Sequence, residues 1–309
     1  MFSKILAQPV HHIRFASSAK LNLFLEIKAR RSDGFHELET VMSKFSLFDD
    51  MTFVPNDTGR ITLSVDSPQP ELARLVPSDE SNLIVRSLQA LLATVDQDSA
   101  SRMGMTVSLL KRIPVQAGLG GASGNSAAAL VAGNQLWGLG LSLPRLMEIG
   151  GGLGSDIPFF LGSGFCKCTG RGEQIENLNC APRFNILVAK PKFGLSTPEI
   201  YSRCQVPEAP INSETLIHSL RTSRLAEFGK ALFNRLEFFA GEMHDGIRRM
   251  RDEFARTNSL GHAMTGSGSC YFGLYRSYAV MMAAKKLLTN RMPEVAFFAG
   301  HTLGRPFNK

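Results

Sequence analysis

KRIPVQAGLGGASGNSAAAL, residues Lys111 to Leu130, carries four glycines between a strand-like segment and a helix-like one. Ahead of it Met105, Val107 and Leu109 alternate with polar or small residues, the period of a half-buried strand. Behind it Ser126 to Trp137 is rich in alanine and free of proline, which predicts a helix. Gly118, Gly120, Gly121 and Gly124 permit φ > 0 and let a ligand approach the backbone. Ser123, Asn125 and Ser126 are interleaved with them. A helix starting there turns unpaired N–H groups and its positive dipole end into the same space. Together these make a cradle for an anion, phosphate above all; the alternative is a tight strand-to-helix turn and nothing more. No Gly-Lys pair occurs, so this is not a GxxxxGK[ST] loop. The dinucleotide pattern also fails, because Ser123 takes the third glycine position and no acidic residue follows until Glu148.

At 309 residues the chain is long enough for one large or two ordinary domains. Hydrophobic residues make up 44% and charged residues 20%, as in a soluble globular protein. No apolar run reaches the roughly 18 residues of a membrane span. Five cysteines, an odd number, point to a reducing compartment, the cytoplasm, rather than to a disulfide framework. Cys166 and Cys168 share a strand face but lack further ligands at zinc-site spacing, so no metal site is expected. The net charge of +7 suits anionic ligands. Nucleic acid fits less well: the basic residues are scattered, the aromatics are mostly isolated phenylalanines, and Arg248, Arg249 and Arg251 read as a solvated helix face. Residues 1–18 are basic and acid-free, a weak likeness to a transit peptide, although Val10 to Phe15 would equally begin the first strand.

In AKLNLFLEI, Ala19 to Ile27, leucines and Ile27 occupy one strand face while Lys20, Asn22, Phe24 and Glu26 occupy the other. Lys20 and Asn22 then sit about 7 Å apart, suited to an anion and a hydroxyl, or to the polar edge of an exposed sheet. Asp33-Gly34 marks a turn, with Phe35 and His36 at its mouth as a base-binding pair or a hairpin plug. Strands are expected at 46–54 and 61–65, and a helix over 82–95 capped by Ser81 or Asn82. A short helix should open at Leu143-Pro144 and end at Gly150. Asp156, among glycines and ahead of an apolar run, is a general-base candidate or a helix cap. NILVAK, Asn185 to Lys190, restarts the pattern near a domain boundary. Thr197-Pro198 reads as a cap followed by proline at the first helical position. Helices are expected at 213–222, 224–240 and 242–257. A second glycine loop, Gly266 and Gly268, precedes a strand (270–274), a helix (278–288) and a last strand (294–299).

Seven stretches carry a resemblance across nearly the whole chain: AKLNLFLEI (19–27), RRSDGFHELET (30–40), SNLIVR (81–86), the glycine loop (111–130), LGSDIPFF (153–160), STPEIY (196–201) and TGSGSCYF (265–272). In this order they resemble the 4-diphosphocytidyl-2-C-methyl-D-erythritol kinase family of the GHMP kinase superfamily. AKLNLFL followed by DGFHEL marks the family, and the two glycine loops mark the superfamily. The resemblance implies an α+β, two-domain GHMP kinase fold, with a ribosomal-protein-like domain over 1–183 and a ferredoxin-like domain over 184–309. The active site would lie in the cleft between them. The implied reaction is ATP-dependent phosphorylation of the tertiary 2-hydroxyl of 4-diphosphocytidyl-2-C-methyl-D-erythritol, in the non-mevalonate route to isoprenoid precursors. ATP would bring Mg²⁺ with it. The partner is a small molecule rather than nucleic acid or membrane, and the enzyme would be a monomer or homodimer.

Position by position, the resemblance makes Lys20 and Asp156 the catalytic pair. Asn22, Thr197, Gly266 and Gly268 would contact substrate, His36 would read the cytosine edge, and Phe35 and Tyr201 would be stacking walls. Gly118, Leu119, Gly120, Gly121, Ala122, Ser123, Gly124, Asn125 and Ser126 would wrap the ATP phosphates, with Asn82 and Lys111 near the nucleotide. Two departures stand out. Phe35 replaces a common tyrosine, keeping stacking without a hydroxyl. Ala122, Gly124 and Ser126 interrupt the usual GGGSSNAA: Gly124 removes a hydroxyl from the loop, and Ser126 is placed to supply one from two residues on. Three rivals remain. Another GHMP kinase, for homoserine, mevalonate or a sugar, would not need His36. An inactive nucleotide-binding module would not need Lys20 and Asp156. An RNA-binding α+β protein would show salt-sensitive binding.

Overall fold

Alternating leucines and a turn at Asp33-Gly34 specify a long hairpin, and it is the spine of the molecule. The computed structural model describes residues 12–180 and 182–304, so most of the stretch with a transit-like composition lies outside the described residues. Strands β1 (Ile13–Arg30) and β2 (His36–Asn56) pair antiparallel along nearly their whole length. In the turn, Gly34 takes φ +85° and the Asp33 carboxylate accepts the Phe35 N–H at 3.1 Å, the self-bonding that favours Asp in turns.

The first half continues through β3 (Ile61–Asp66), α1 (Pro70–Arg74), α2 (Leu83–Leu92), α3 (Gln97–Ala100), β4 (Gly104–Leu110), α4 (Gly121–Leu136), α5 (Leu143–Leu153), α6 (Ile157–Leu161), β5 (Phe165–Thr169) and β6 (Gln174–Asn177). The second half contains β7 (Asn185–Lys190), α7 (Thr197–Arg203), α8 (Glu214–Arg221), α9 (Leu225–Lys230), β8 (Phe233–Asn234), α10 (Leu236–Met243), α11 (Asp245–Ala255), β9 (Gly261–Met264), β10 (Tyr271–Tyr275), α12 (Tyr278–Arg291) and β11 (Ala296–Leu303). The main path of the sheet runs β3-β4-β2-β11-β7-β10-β9. β11 is the bridge: Ala296 to His301 pair with β7, and Thr302 and Leu303 pair with Phe45 and Lys44 of β2.

Helices α2 and α4 cover β2, β3 and β4 through Ile84, Val85, Leu88, Ala128, Ala129 and Ala132. The alanines of α4 let it sit close, and small residues around most of its circumference are buried, as expected of an interior helix. A second apolar layer joins Leu21, Leu23 and Phe45 of the hairpin to Ile186, Val188 and Phe272 of the second half.

Several boundaries move from their expected places. Helix α4 begins at Gly121 inside the glycine loop, five residues before Ser126, and α5 runs on to Leu153 past Gly150. The cap of α7 is Ser196, whose hydroxyl accepts the Glu199 N–H, which frees Thr197 for other contacts. The span 224–240 is broken by β8, because Asn234 accepts the Leu236 N–H and donates to the Met264 and Gly266 carbonyls. β11 extends to Leu303. Lys20 and Asn22 do not lie on an exposed sheet face; both are buried, and a register shift between Asn22 and Phe24 interrupts the simple alternation.

Candidate active site

Burying a lysine demands polar partners, and Lys20 has them. Its ammonium donates to Asn22 Oδ1 and stands 3.5 Å from the Asp156 carboxylate, while its backbone N–H donates to the Leu119 carbonyl at 2.9 Å. Asn22 is fixed in turn: its side-chain amide donates to Thr40 Oγ1 at 2.9 Å and its backbone N–H to Thr265 Oγ1 at 3.0 Å. Asp156 occupies the position before α6 but makes no capping bond. The cap alternative therefore falls, and the carboxylate, about a third exposed, faces the cleft beside the lysine.

The strand-to-helix turn ahead of α4 requires glycine at two points. A Cβ on Gly118 (φ +70°) would meet the Thr265 carbonyl oxygen at 2.3 Å, and one on Gly120 (φ +66°) would meet Lys20 Cγ at 2.8 Å. The two glycine loops thus touch: a Cβ on Gly266 would lie 3.2 Å from Gly118 Cα. Gln116, at φ +50°, leads into the first loop in a conformation uncommon for a non-glycine residue. Beneath the loop, Lys111 is buried against Asp49 at 2.5 Å. Asp49 also accepts from Asn125 Nδ2 and from the N–H groups of Arg112 and Ile113, so one buried carboxylate ties the loop's entry to Asn125 of α4. Burial lowers the Lys111 pKa, and the Asp49 charge pulls it back up.

Two connected hollows result. One, about 370 Å³, is lined by Leu75, Val76, Asn82, Lys111, Gly118 to Ser123 and Asn125. Apolar walls beside the N-terminus of a helix fit an adenine nucleotide with its phosphates on the glycine loop. Asn82 caps α2, accepting the Ile84 N–H at 2.9 Å, at the edge of this hollow. The second, about 1420 Å³, brings together Lys20, Asn22, Phe35, His36, Asp156, Thr197, Tyr201, Gly266 and Gly268. His36 and Tyr201 rings pack 5.5 Å apart, Phe35 is 53% exposed, and Thr197 bonds Ser267 at 2.6 Å. Burial, helped by the Arg30 charge, lowers the His36 pKa and so favours the neutral ring.

Two expected phosphate contacts are displaced. Ser126 is wholly buried and its hydroxyl bonds Ser87 at 2.5 Å in the α2–α4 interface, so it replaces nothing in the loop. Gly124 faces β1: a Cβ there would meet Ser17 Oγ at 2.7 Å and the Ser18 carbonyl at 3.0 Å. Glycine at 124 answers to strand packing, and a serine there would not reach the hollow. The structure adds a positioning role for three further residues: Asp49, Thr265 and Asn234. Asp49, in an acidic pair inside a strand, and Thr265, at the head of the second glycine loop, stand in stretches that the sequence marks out.

Among the described residues no helix is long and apolar enough to cross a membrane, and no group of three His, Cys, Asp or Glu side chains is placed to hold a metal. The family models for the GHMP kinases N terminal domain and GHMP kinases C terminal match residues 82–164 and 216–286. A homoserine kinase from Cytophaga hutchinsonii superposes with a TM-score of 0.74 at 15% identity, covering 100% of this chain and 99% of its own, which is a likeness of fold. The fold and cleft are those of a GHMP kinase. A 4-diphosphocytidyl-2-C-methyl-D-erythritol kinase from Pelotomaculum thermopropionicum is 36% identical over 83% of this chain and 86% of its own. The crystal structure of a 4-(cytidine 5'-diphospho)-2C-methyl-D-erythritol kinase superposes with a TM-score of 0.76 at 27% identity, covering 94% of this chain and 100% of that one. The chain belongs to the 4-diphosphocytidyl-2-C-methyl-D-erythritol kinase family.

Proposed function

We propose that the enzyme transfers the γ-phosphoryl group of ATP to the 2-hydroxyl of 4-diphosphocytidyl-2-C-methyl-D-erythritol, with Lys20 and Asp156 as its catalytic pair. The observation that carries this assignment is the Lys20–Asp156 contact, opposite the α4 N-terminus and in one cleft with His36. Asp156 accepts the proton of the acceptor hydroxyl as its oxygen bonds to the γ-phosphorus. The bond from that phosphorus to the bridging oxygen breaks, and ADP leaves. Lys20 balances charge on the oxygens in flight. Phosphoryl transfer needs little beyond such positioning and electrostatics.

Asn22 and Thr197 hold the acceptor, and neutral His36 offers a donor and an acceptor to the cytosine edge. Phe35 and Tyr201 flank the base. The residues from Gly118 to Ser123, with Asn125 behind them, cradle the ATP phosphates. Among the described residues, Asp156 is the one carboxylate lining the cleft. Mg²⁺ bound through phosphates needs only one or two protein carboxylates, so Asp156 suits it. When bound, the ion neutralises phosphate charge. We further propose domains over 1–183 and 184–309 and a small-molecule enzyme of the cytoplasm, monomeric or homodimeric, without nucleic-acid or membrane partners.

A coupled ADP assay with 4-diphosphocytidyl-2-C-methyl-D-erythritol, homoserine, mevalonate and galactose tests the substrate. Turnover confined to the cytidine compound is expected. Turnover with one of the others would retain the fold and discard the acceptor.

A further inference from the structure

The acceptor cleft has two chemically distinct ends, Phe35 and His36 at one and Lys20 and Asp156 at the other, and a single turn lies against both. Gly170 (φ +71°) and Gly172 (φ +109°) flank Arg171. A Cβ on Gly172 would be 3.9 Å from the Ser155 Cβ, next to Asp156, whereas the Arg171 guanidinium lies 5.0 Å from the centre of the Phe35 ring. The turn is fixed by its neighbours. Gly170 N–H donates to Glu37 at 3.0 Å, Leu38 N–H donates to the Gly170 carbonyl at 2.7 Å, and Arg171 N–H donates to Glu173 at 2.6 Å.

The charges at this rim are unevenly satisfied. Arg31 is paired with both Asp33 and Glu37. Among the described residues, neither Arg171 nor the exposed Arg30 has a carboxylate within ion-pair distance; Asp33 feels the Arg171 charge but is held by Arg31. Both arginines line the cleft, and Arg30 lies close enough to His36 to influence its ring. Stacking on Phe35 holds the Arg171 guanidinium over the cleft at modest desolvation cost, with its N–H groups available.

We infer that Arg171, assisted by Arg30, reads the diphosphate that joins the nucleoside to the acceptor alcohol. The inference rests on the cleft being the acceptor site. With the base at His36 and the reacting hydroxyl at Asp156, the linking diphosphate must cross the span beside the 170–172 turn. A planar guanidinium matches phosphate oxygens in charge and in fork geometry. Arg171 is then a specificity determinant that favours a nucleoside diphosphate conjugate over a neutral nucleoside.

Arg171→Gln, Arg30→Gln and Arg171→Lys would be compared with the parent by titration calorimetry with CDP and with cytidine, alongside turnover of the cytidine substrate. For Arg171→Gln, CDP affinity should fall about 10-fold or more, the scale of one charge-assisted contact, while cytidine affinity and the KM for ATP stay unchanged. Arg30→Gln should lose less, and Arg171→Lys should recover part of the loss. Added salt should weaken CDP binding more in the parent than in Arg171→Gln. Equal losses for CDP and cytidine would overturn the inference, leaving Arg171 as a support for Phe35. No loss for either ligand would overturn it as well. If the parent neither bound CDP nor turned over the cytidine substrate, the cleft assignment itself would fall and take the inference with it.

Discussion

Lys20 on β1 and Asp156 ahead of α6 stand 3.5 Å apart, and the Asp156 carboxylate leaves uncapped the helix that it precedes. A cap at this position is typically worth about 1 kcal/mol. Turning the carboxylate toward a lysine instead forgoes that stabilisation and creates a base beside a cation. Asp156→Asn keeps the shape and removes the basicity. Its kcat should fall by ~10²–10⁴, the usual contribution of general-base catalysis, with affinity for ATP in the absence of Mg²⁺ unchanged. Single-turnover kinetics and nucleotide binding measured side by side check this, and retained turnover would remove Asp156 as the base.

If His36 reads the cytosine edge as proposed, acid should weaken substrate binding. Its pKa lies below the ordinary histidine value because of burial and the Arg30 charge, so acidification through that lowered pKa protonates the ring. An imidazolium has two donors and no acceptor, so KM for the cytidine substrate should be flat at neutral and higher pH and rise on acidification, with a midpoint below the ordinary histidine value. Arg30→Gln should move the rise to higher pH, and His36→Ala should abolish it while raising KM at every pH. A midpoint that ignores Arg30 would disconnect the profile from His36.

Asp49 and Lys111 form a buried pair whose partners include Asn125 of α4. Removing one charge strands the other, a cost of ~3–5 kcal/mol. Asp49→Leu and Lys111→Met should each lower denaturation midpoints sharply, and the double variant should recover a large part of the loss. Chemical denaturation of all four proteins completes the cycle. Simple additivity would show that the two side chains act apart.

Gly124→Ser distinguishes strand packing from phosphate contact. The new side chain presses on Ser17, the Ser18 carbonyl and Phe160, so stability should fall by about 1–2 kcal/mol, as in mild overpacking. ATP affinity should not rise. Tighter ATP binding without loss of stability would return residue 124 to the phosphate site.

The parts of the site legible in the sequence were those written in contiguous motifs. Lys20 and Asn22 are two apart on one strand, Phe35-His36 follow a turn signal, and Asp156 stands alone among glycines. Resemblance then supplied roles that local chemistry left open. The phase of α4 was not legible, because glycine, alanine and serine surround the helix and give no apolar stripe to show which way Gly124 and Ser126 point. The roles of Asp49, Thr265 and Asn234 were hidden for another reason: each acts on residues far along the chain, Thr265 on Asn22 and Asn234 on the Gly266 loop. The break at β8 has the same origin, a tertiary pairing with Phe24 and Leu25 that overrides local helix propensity.

β11 has a bearing on how the chain is made. Thr302 and Leu303 close onto β2, and Thr302 also bonds Phe184 and Pro182, so contacts of the first half wait for the last strand to leave the ribosome. Until then the nascent hairpin presents an incomplete sheet edge at Lys44 and Phe45, the kind of surface that chaperones shield and other chains can invade. Loss of Thr302 and Leu303 would therefore damage the pairing of β2 as much as that of β11.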